Sequence, residues 1–166
     1  MLIREVAADE VDLCATLGRF VVESYTTLPG HVPEPDYERE LADVAARAAL
    51  PETVVLAAFD GAGRPLGSVT YAGPGSPMVE HAESGAASFR MLGVDPAAQG
   101  RGAGAALVQA CIDRASVDGY TSIVLHSTPW MTTAHRIYTR FGFTRDESLE
   151  WTPVPGIDLW AFRLPL

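Results

Sequence analysis

Residues 89–115 constrain this chain more than any other stretch. The apolar run Phe89-Arg90-Met91-Leu92-Gly93-Val94 leads through Asp95-Pro96 into Gln99-Gly100-Arg101-Gly102-Ala103-Gly104-Ala105. Proline ends a strand, and alternating glycines permit tight, left-handed turning. Leu107, Val108, Cys111, Ile112 and Ala115 then recur at helical spacing, and Gly119 supplies a stop. Strand, bend and helix follow from that order. The first turn of the helix carries almost no side chains. Its unpaired N–H groups, at the positive end of the helix dipole, make a place where a phosphate can sit. The remaining residues read as scaffold and cover for that place.

The flanking segments predict an α/β sheet. Residues 2–6 are a short apolar opening, and Asp9 is the expected cap of a helix running to about Tyr25 on Leu13, Leu17, Phe20 and Val21. Three prolines and a glycine within residues 26–35 forbid regular structure there. Asp36 restarts a helix expected to end near Leu50. Residues 53–59 and 66–72 flank Asp60-Gly61-Ala62-Gly63 and read as a hairpin, followed by a long polar loop over 73–85 and a strand over 86–94. Residues 122–127 are a buried strand, parallel to 86–94 if the intervening helix is a right-handed crossover. A short helix capped by Thr132 or Thr133 runs through Phe141. Two closing strands then follow, one from Phe143 and one over 159–164, joined by a loop with Pro153, Pro155 and Gly156. No repeat, linker or low-complexity tract interrupts the chain, so residues 1–166 read as one domain.

Charge narrows the partners. Twelve basic against 21 acidic residues leave a formal net charge of −9, which disfavours non-specific binding of nucleic acid or of an anionic membrane and favours cationic ligands. No apolar run approaches the roughly 20 residues of a membrane span. Cys14 and Cys111 lack metal-ligand spacing and point to a reducing compartment, so a cytoplasmic location is expected.

Three phosphate-binding patterns compete for the glycine bend. A P-loop needs a lysine and a Ser/Thr after its last glycine, and both are missing. Gly102-x-Gly104-x-x matches a dinucleotide fingerprint in form. That motif, however, starts directly after its strand and needs an acidic residue ending the next one, where this chain has His126-Ser127. The segment from Val94-Asp95-Pro96 through Gln99-Gly100-Arg101-Gly102-Ala103-Gly104 instead resembles the acyl-CoA signature Q/R-x-x-G-x-G/A of the GCN5-related N-acetyltransferase (GNAT) superfamily. Ala134-His135-Arg136-Ile137-Tyr138-Thr139-Arg140-Phe141-Gly142-Phe143 resembles that family's later A-x-x-x-Y-x-x-x-G-F segment. The two together cover roughly residues 86–143.

The resemblance implies a mixed, mostly antiparallel sheet with helices on both faces and a splayed central parallel strand pair. It implies acetyl-CoA as co-substrate. The backbone of Leu92, Gly93 and Val94 would hold the pantetheine arm as an extra strand, and Gln99, Gly100, Arg101, Gly102, Ala103, Gly104 and Ala105 would cradle the pyrophosphate. Tyr138 stands at the position of the family's thiolate-protonating tyrosine. Two departures stand out: Met131 replaces an asparagine that holds pantetheine, and Ser88 replaces a glutamate base. His126 and Glu83 are the alternatives for that base, with Arg90 orienting Glu83 or binding a substrate carboxylate. Tyr25, His31, Tyr37, Glu80 and His81 border the expected acceptor site. The function implied is acetyl transfer to a primary amine of a small molecule or peptide. A non-catalytic acyl-CoA sensor is the alternative. Phe162 is expected in the core, and a homodimer is compatible with the resemblance.

Overall fold

The computed structural model describes residues 1–166. In chain order the elements are β1 (Leu2–Glu5), α1 (Val11–Thr26), α2 (Pro35–Ala42), α3 (Val44–Ala48), β2 (Thr53–Phe59), β3 (Pro65–Ala72), β4 (Ala86–Val94), α4 (Ala103–Val117), β5 (Ser122–Ser127), α5 (Thr132–Arg140), β6 (Thr144–Arg145), β7 (Trp151–Val154) and β8 (Ile157–Pro165). The sheet runs β1-β2-β3-β4-β5-β8-β6, with β7 hairpinned onto β8. All pairings are antiparallel except β4 with β5, as the sequence pattern and the resemblance predict.

Strand alternation splits the core into two layers. Leu56, Ala58, Val69, Tyr71, Ala87, Phe89, Ile123 and Leu125 pack under Leu107, Val108, Cys111 and Ala115 of α4, with Tyr138 of α5. On the other face, Val55, Ala57 and Phe59 meet Cys14 and Leu17 of α1 and Val44 of α3, and Met91 meets Val21 and Leu41. Both cysteines are buried and unpaired. No helix is long and apolar enough to cross a membrane.

Three local expectations are corrected. The helix expected from Asp36 to Leu50 breaks at Asp43, whose carboxylate caps α3 by accepting from the Ala46 N–H at 3.0 Å. Buried Arg47 secures the break, its guanidinium donating to Thr70 Oγ1 and to the carbonyls of Glu40, Asp43 and Leu41. Glu10, not Asp9, precedes α1, where its carboxylate accepts the Ala7 N–H and pairs with Arg4. The closing region holds three strands, because Pro155-Gly156 forms a tight turn, with Gly156 at φ +86°, between β7 and β8. Pro153 lies inside β7, which pairs on one side only, where a missing N–H is tolerated.

Candidate functional site

At the start of α4 the N–H groups of Gly102, Ala103, Gly104 and Ala105 make no hydrogen bond to any backbone or side-chain acceptor. The first helical bond of this end is Ala106 N–H to the Gly102 carbonyl at 3.0 Å. Gly100 and Gly102 have φ of +76° and +87°, and a Cβ at either would meet no protein atom within 4 Å. Close packing therefore does not explain these two glycines. They turn the backbone and leave open space before four unpaired donors, an arrangement built for an anion. Gln99 and Arg101 are exposed beside it, while Ala103 is buried and anchors the helix.

The parallel strands next to this cradle come apart. β4 and β5 pair only at Ala86 with Ser122 and Ala87 with Ile123. Beyond that the gap exposes one edge of each, unpaired backbone that an extended ligand can complete. A bulge in β4 sharpens the opening. Gly93 pairs with Ser68 and Arg90 with Thr70, so Met91 and Leu92 together face Val69. Met91 takes φ +54°, a left-handed conformation that costs about 1–2 kcal/mol for a residue with a Cβ. Bulges of this kind re-aim backbone groups beside functional sites. Val94 is already engaged: Ser24 Oγ of α1 accepts its N–H and donates to its carbonyl, both at 3.0 Å. Gly93 is closed in by α1, since a Cβ there would lie 2.6 Å from Val21 Cα.

Tyr138 is buried on the α4–α5 side of the gap, its ring against Phe89, Phe143 and Phe162 at centroid distances of 5.7–5.8 Å. Burial, with a smaller contribution from Cys111, pushes its phenol above the ordinary tyrosine value. The hydroxyl is therefore protonated at neutral pH and can donate to a thiolate.

On the opposite face the gap opens into a cleft of about 360 Å³. Tyr25 and Tyr37, edge to face at 6.3 Å, form one wall. Arg90, Glu80 and His126 form the floor, and Trp130, Met131, Pro153 and Leu159 close the far side. Arg90 Nη2 pairs with Glu80 Oε1 at 2.8 Å, and the other carboxylate oxygen lies 3.8 Å from His126 Nδ1. His126 Nε2 lies 2.9 Å from the Leu149 carbonyl, which can only accept, so this nitrogen carries the proton of the neutral ring and Nδ1 carries the lone pair. Glu34, Glu40 and Glu80 line the cleft against the single arginine, so it suits a cationic guest.

A family model of the acetyltransferase (GNAT) family matches residues 19–143. The chain belongs to the GNAT family. An uncharacterised N-acetyltransferase of Schizosaccharomyces pombe is 30% identical over 118 residues, covering 71% of this chain and 68% of that protein. A GCN5-related N-acetyltransferase from Kribbella flavida shares the fold at a TM-score of 0.72 with 26% identity, over 99% of this chain and 98% of that one. The yncA protein from Salmonella typhimurium, solved with its cofactor acetyl-CoA, superposes at a TM-score of 0.69 with 22% identity, over 100% and 94% of the two chains. Family membership makes this chain an acyltransferase.

Within this GNAT chain, the residues expected at the site divide. Gln99 through Ala105 lie together at the α4 start, and Leu92 lies at the bulge. Tyr25, His31, Tyr37, Glu80, Arg90, His126 and Met131 line the cleft. Glu83 does not: its carboxylate pairs with Arg163 of β8 at 2.7 Å, and Arg90 turns to Glu80 instead. His81 is also outside, its Nδ1 accepting the Glu83 N–H. Ser88 is buried on β4 opposite Ala72 of β3, two residues before Arg90 and so on the same face of the strand. From sequence alone Glu80 is expected only to border the acceptor site. Its two-residue offset from Met78, whose carbonyl accepts from Arg90, brings it back over β4, a loop path that no local pattern signals.

Proposed function

We propose that the protein transfers the acetyl group of acetyl-CoA directly to a primary amine of a small molecule or peptide, and that the amine is cationic before it reacts. The observation that carries this reading is the parting of β4 from β5 beside four unpaired N–H groups at the start of α4. Acetyl-CoA fits both halves. Its pyrophosphate matches the donors of residues 102–105, with Gln99, Gly100 and Arg101 at the rim. Its pantetheine arm matches the open strand edge, where Leu92 and Gly93 lie in or next to the bulge. Val94 contributes through the wall it forms with Ser24, since its own N–H and carbonyl are taken.

The chemistry requires a neutral amine, a polarised carbonyl and a proton for the departing thiolate. An alkylammonium has a pKa of about 10, so a base must remove a proton before attack. His126 Nδ1 is the available lone pair in the cleft, and the Glu80 carboxylate lies 3.8 Å from it, opposite in sign to the imidazolium that forms. Of the two bases considered, His126 takes the role, because Glu83 is committed to Arg163. The amine then attacks the thioester carbon while the Leu92 backbone amide polarises the carbonyl. As the carbon–sulfur bond breaks, Tyr138 supplies the proton to sulfur.

The test is free-thiol release from acetyl-CoA across a panel of amines, wild type against Tyr138→Phe. Release that depends on cationic amines and falls in the variant supports the reading. Tight CoA binding with no amine-dependent release supports the sensor alternative, in keeping with the departures at Ser88 and Met131.

A further inference from the structure

The end of β5 carries a side-chain pair that amine transfer does not use. Ser127 is buried, lines the cleft, and has Oγ 2.9 Å from Nε2 of His135 on α5. Met131 Sδ lies 3.3 Å from the same oxygen, but a thioether is a weak acceptor beside an imidazole nitrogen, so the hydroxyl proton points to His135. With the Ser127 hydroxyl donating to it, Nε2 is the acceptor of the neutral ring and the proton sits on Nδ1. Trp160 and Phe162 hold the ring, at centroid distances of 5.6 and 4.9 Å. A buried hydroxyl within hydrogen-bond reach of an imidazole that its aromatic neighbours hold in place is the core of an activated serine nucleophile.

Its position is as telling as its chemistry. Ala87 pairs with Ile123, so four residues further along each strand Ser127 stands level with the Met91–Leu92 bulge across the gap. That is where the proposed reading puts the thioester, and the inference rests on that placement of the donor. Beside Ser127, the Thr128 hydroxyl is buried, lines the same cleft and has no hydrogen-bond partner. A buried donor left uncommitted costs about 1–3 kcal/mol, so this hydroxyl is available to a ligand or water oxygen in the cleft.

We propose that Ser127 and His135 form a second acyl-accepting site that hydrolyses acetyl-CoA when no amine is present. Ser127 Oγ attacks the thioester carbon while its proton passes to His135 Nε2. The carbon–sulfur bond breaks, the proton goes from His135 to sulfur, and CoA leaves as the free thiol. Water then attacks the seryl ester, giving a proton to His135 and the acyl group as acetate. Ser127 recovers its proton. Water is the only co-reactant.

Burial lowers the His135 pKa from the ordinary histidine value, and cationic Arg145 adds to the effect. Tyr138 on the same helix is neutral, and Trp160 and Phe162 on β8 carry no charge. Amine-free release therefore rises with pH and reaches its plateau below the pH expected for a free histidine.

The experiment follows thiol release from acetyl-CoA without amine, with CoA affinity measured by calorimetry on the same proteins. Wild type is expected to release thiol with that pH profile. Ser127→Ala is expected to lose about a hundredfold of the rate while still binding CoA, and His135→Gln to lose a similar share. Ser127→Cys is expected to carry an acetyl group on residue 127 by intact-mass and peptide analysis. CoA binding with equal release by wild type and Ser127→Ala, or with no release by wild type, overturns the pair and leaves the amine-transfer reading standing. Failure of wild type to bind CoA overturns both.

Discussion

The two sides of the gap between β4 and β5 are built on different principles. The side at the start of α4 works with backbone: Gly100 and Gly102 turn at positive φ, and four N–H groups stand free because helix geometry leaves them so. The cleft on the other face works with side chains brought from α1, α2, the loop before β4, β5 and the β7–β8 hairpin. A site of the first kind depends on a short contiguous stretch and tolerates change elsewhere. One of the second kind depends on residues more than a hundred positions apart and can be rebuilt without touching the fold. The difference explains how one scaffold can keep its acyl donor and change its acceptor.

The comparison breaks most decisively at two glycines of one stretch. Gly102→Val adds a side chain where no protein atom lies within 4 Å, at the cost of about 1–2 kcal/mol of backbone strain at φ +87°. The protein should remain folded and bind CoA about a hundredfold more weakly, roughly 2.7 kcal/mol, by calorimetry. Gly93→Ala should do the reverse, because its Cβ meets Val21 of α1 at 2.6 Å. The cost of about 1–3 kcal/mol would appear as a lowered melting temperature. If folded Gly102→Val protein binds CoA as tightly as wild type, the open-cradle account of the bend is wrong.

Next in size, Tyr138→Phe should lower kcat about a hundredfold with CoA affinity little changed, since the ring stays against Phe89, Phe143 and Phe162. A smaller effect separates two acids of one loop. Glu80→Gln removes the partner of Arg90 and the carboxylate facing His126, and should lower kcat/KM about tenfold. Glu83→Gln, whose carboxylate is committed to Arg163, should change kcat/KM less than about twofold. Equal losses would return Glu83 to the base role.

The smallest effect is on stability. Burial lowers the pKa of both His135 and His81 in the folded protein. The unfolded chain therefore takes up these protons first as pH falls. Their contribution is complete above the ordinary histidine value of about 6.5 and is lost as pH drops from there through the folded-state values. Thermal melts at pH 7.5 and 5.5 should show a lower midpoint at the acid end, and His135→Gln should reduce the difference.

This contrast also explains what was legible in the sequence. β2, β4 and β5 fall where alternation and turn residues put them, and the glycine bend announced its anion site, because each depends on neighbours in the chain. The break at Asp43 is not legible in the sequence, because Asp43 reads as one more residue of a continuous helix until Arg47 finds Thr70 on β3. The place of Glu80 beside the base is hidden for the same reason, since only the folded loop sets it between Arg90 and His126. The Ser127–His135 pair spans the end of a strand and the next helix. Nothing in either segment alone marks it.

The most direct test of the central claim is an amide nitrogen–proton correlation spectrum of the protein titrated with CoA and, separately, with pantetheine. With CoA, the amide resonances of Gly102, Ala103, Gly104 and Ala105 should shift together with those of Leu92 and Gly93. With pantetheine, which lacks the pyrophosphate, only the strand resonances should move. Saturable CoA binding that leaves residues 102–105 unmoved would contradict the account.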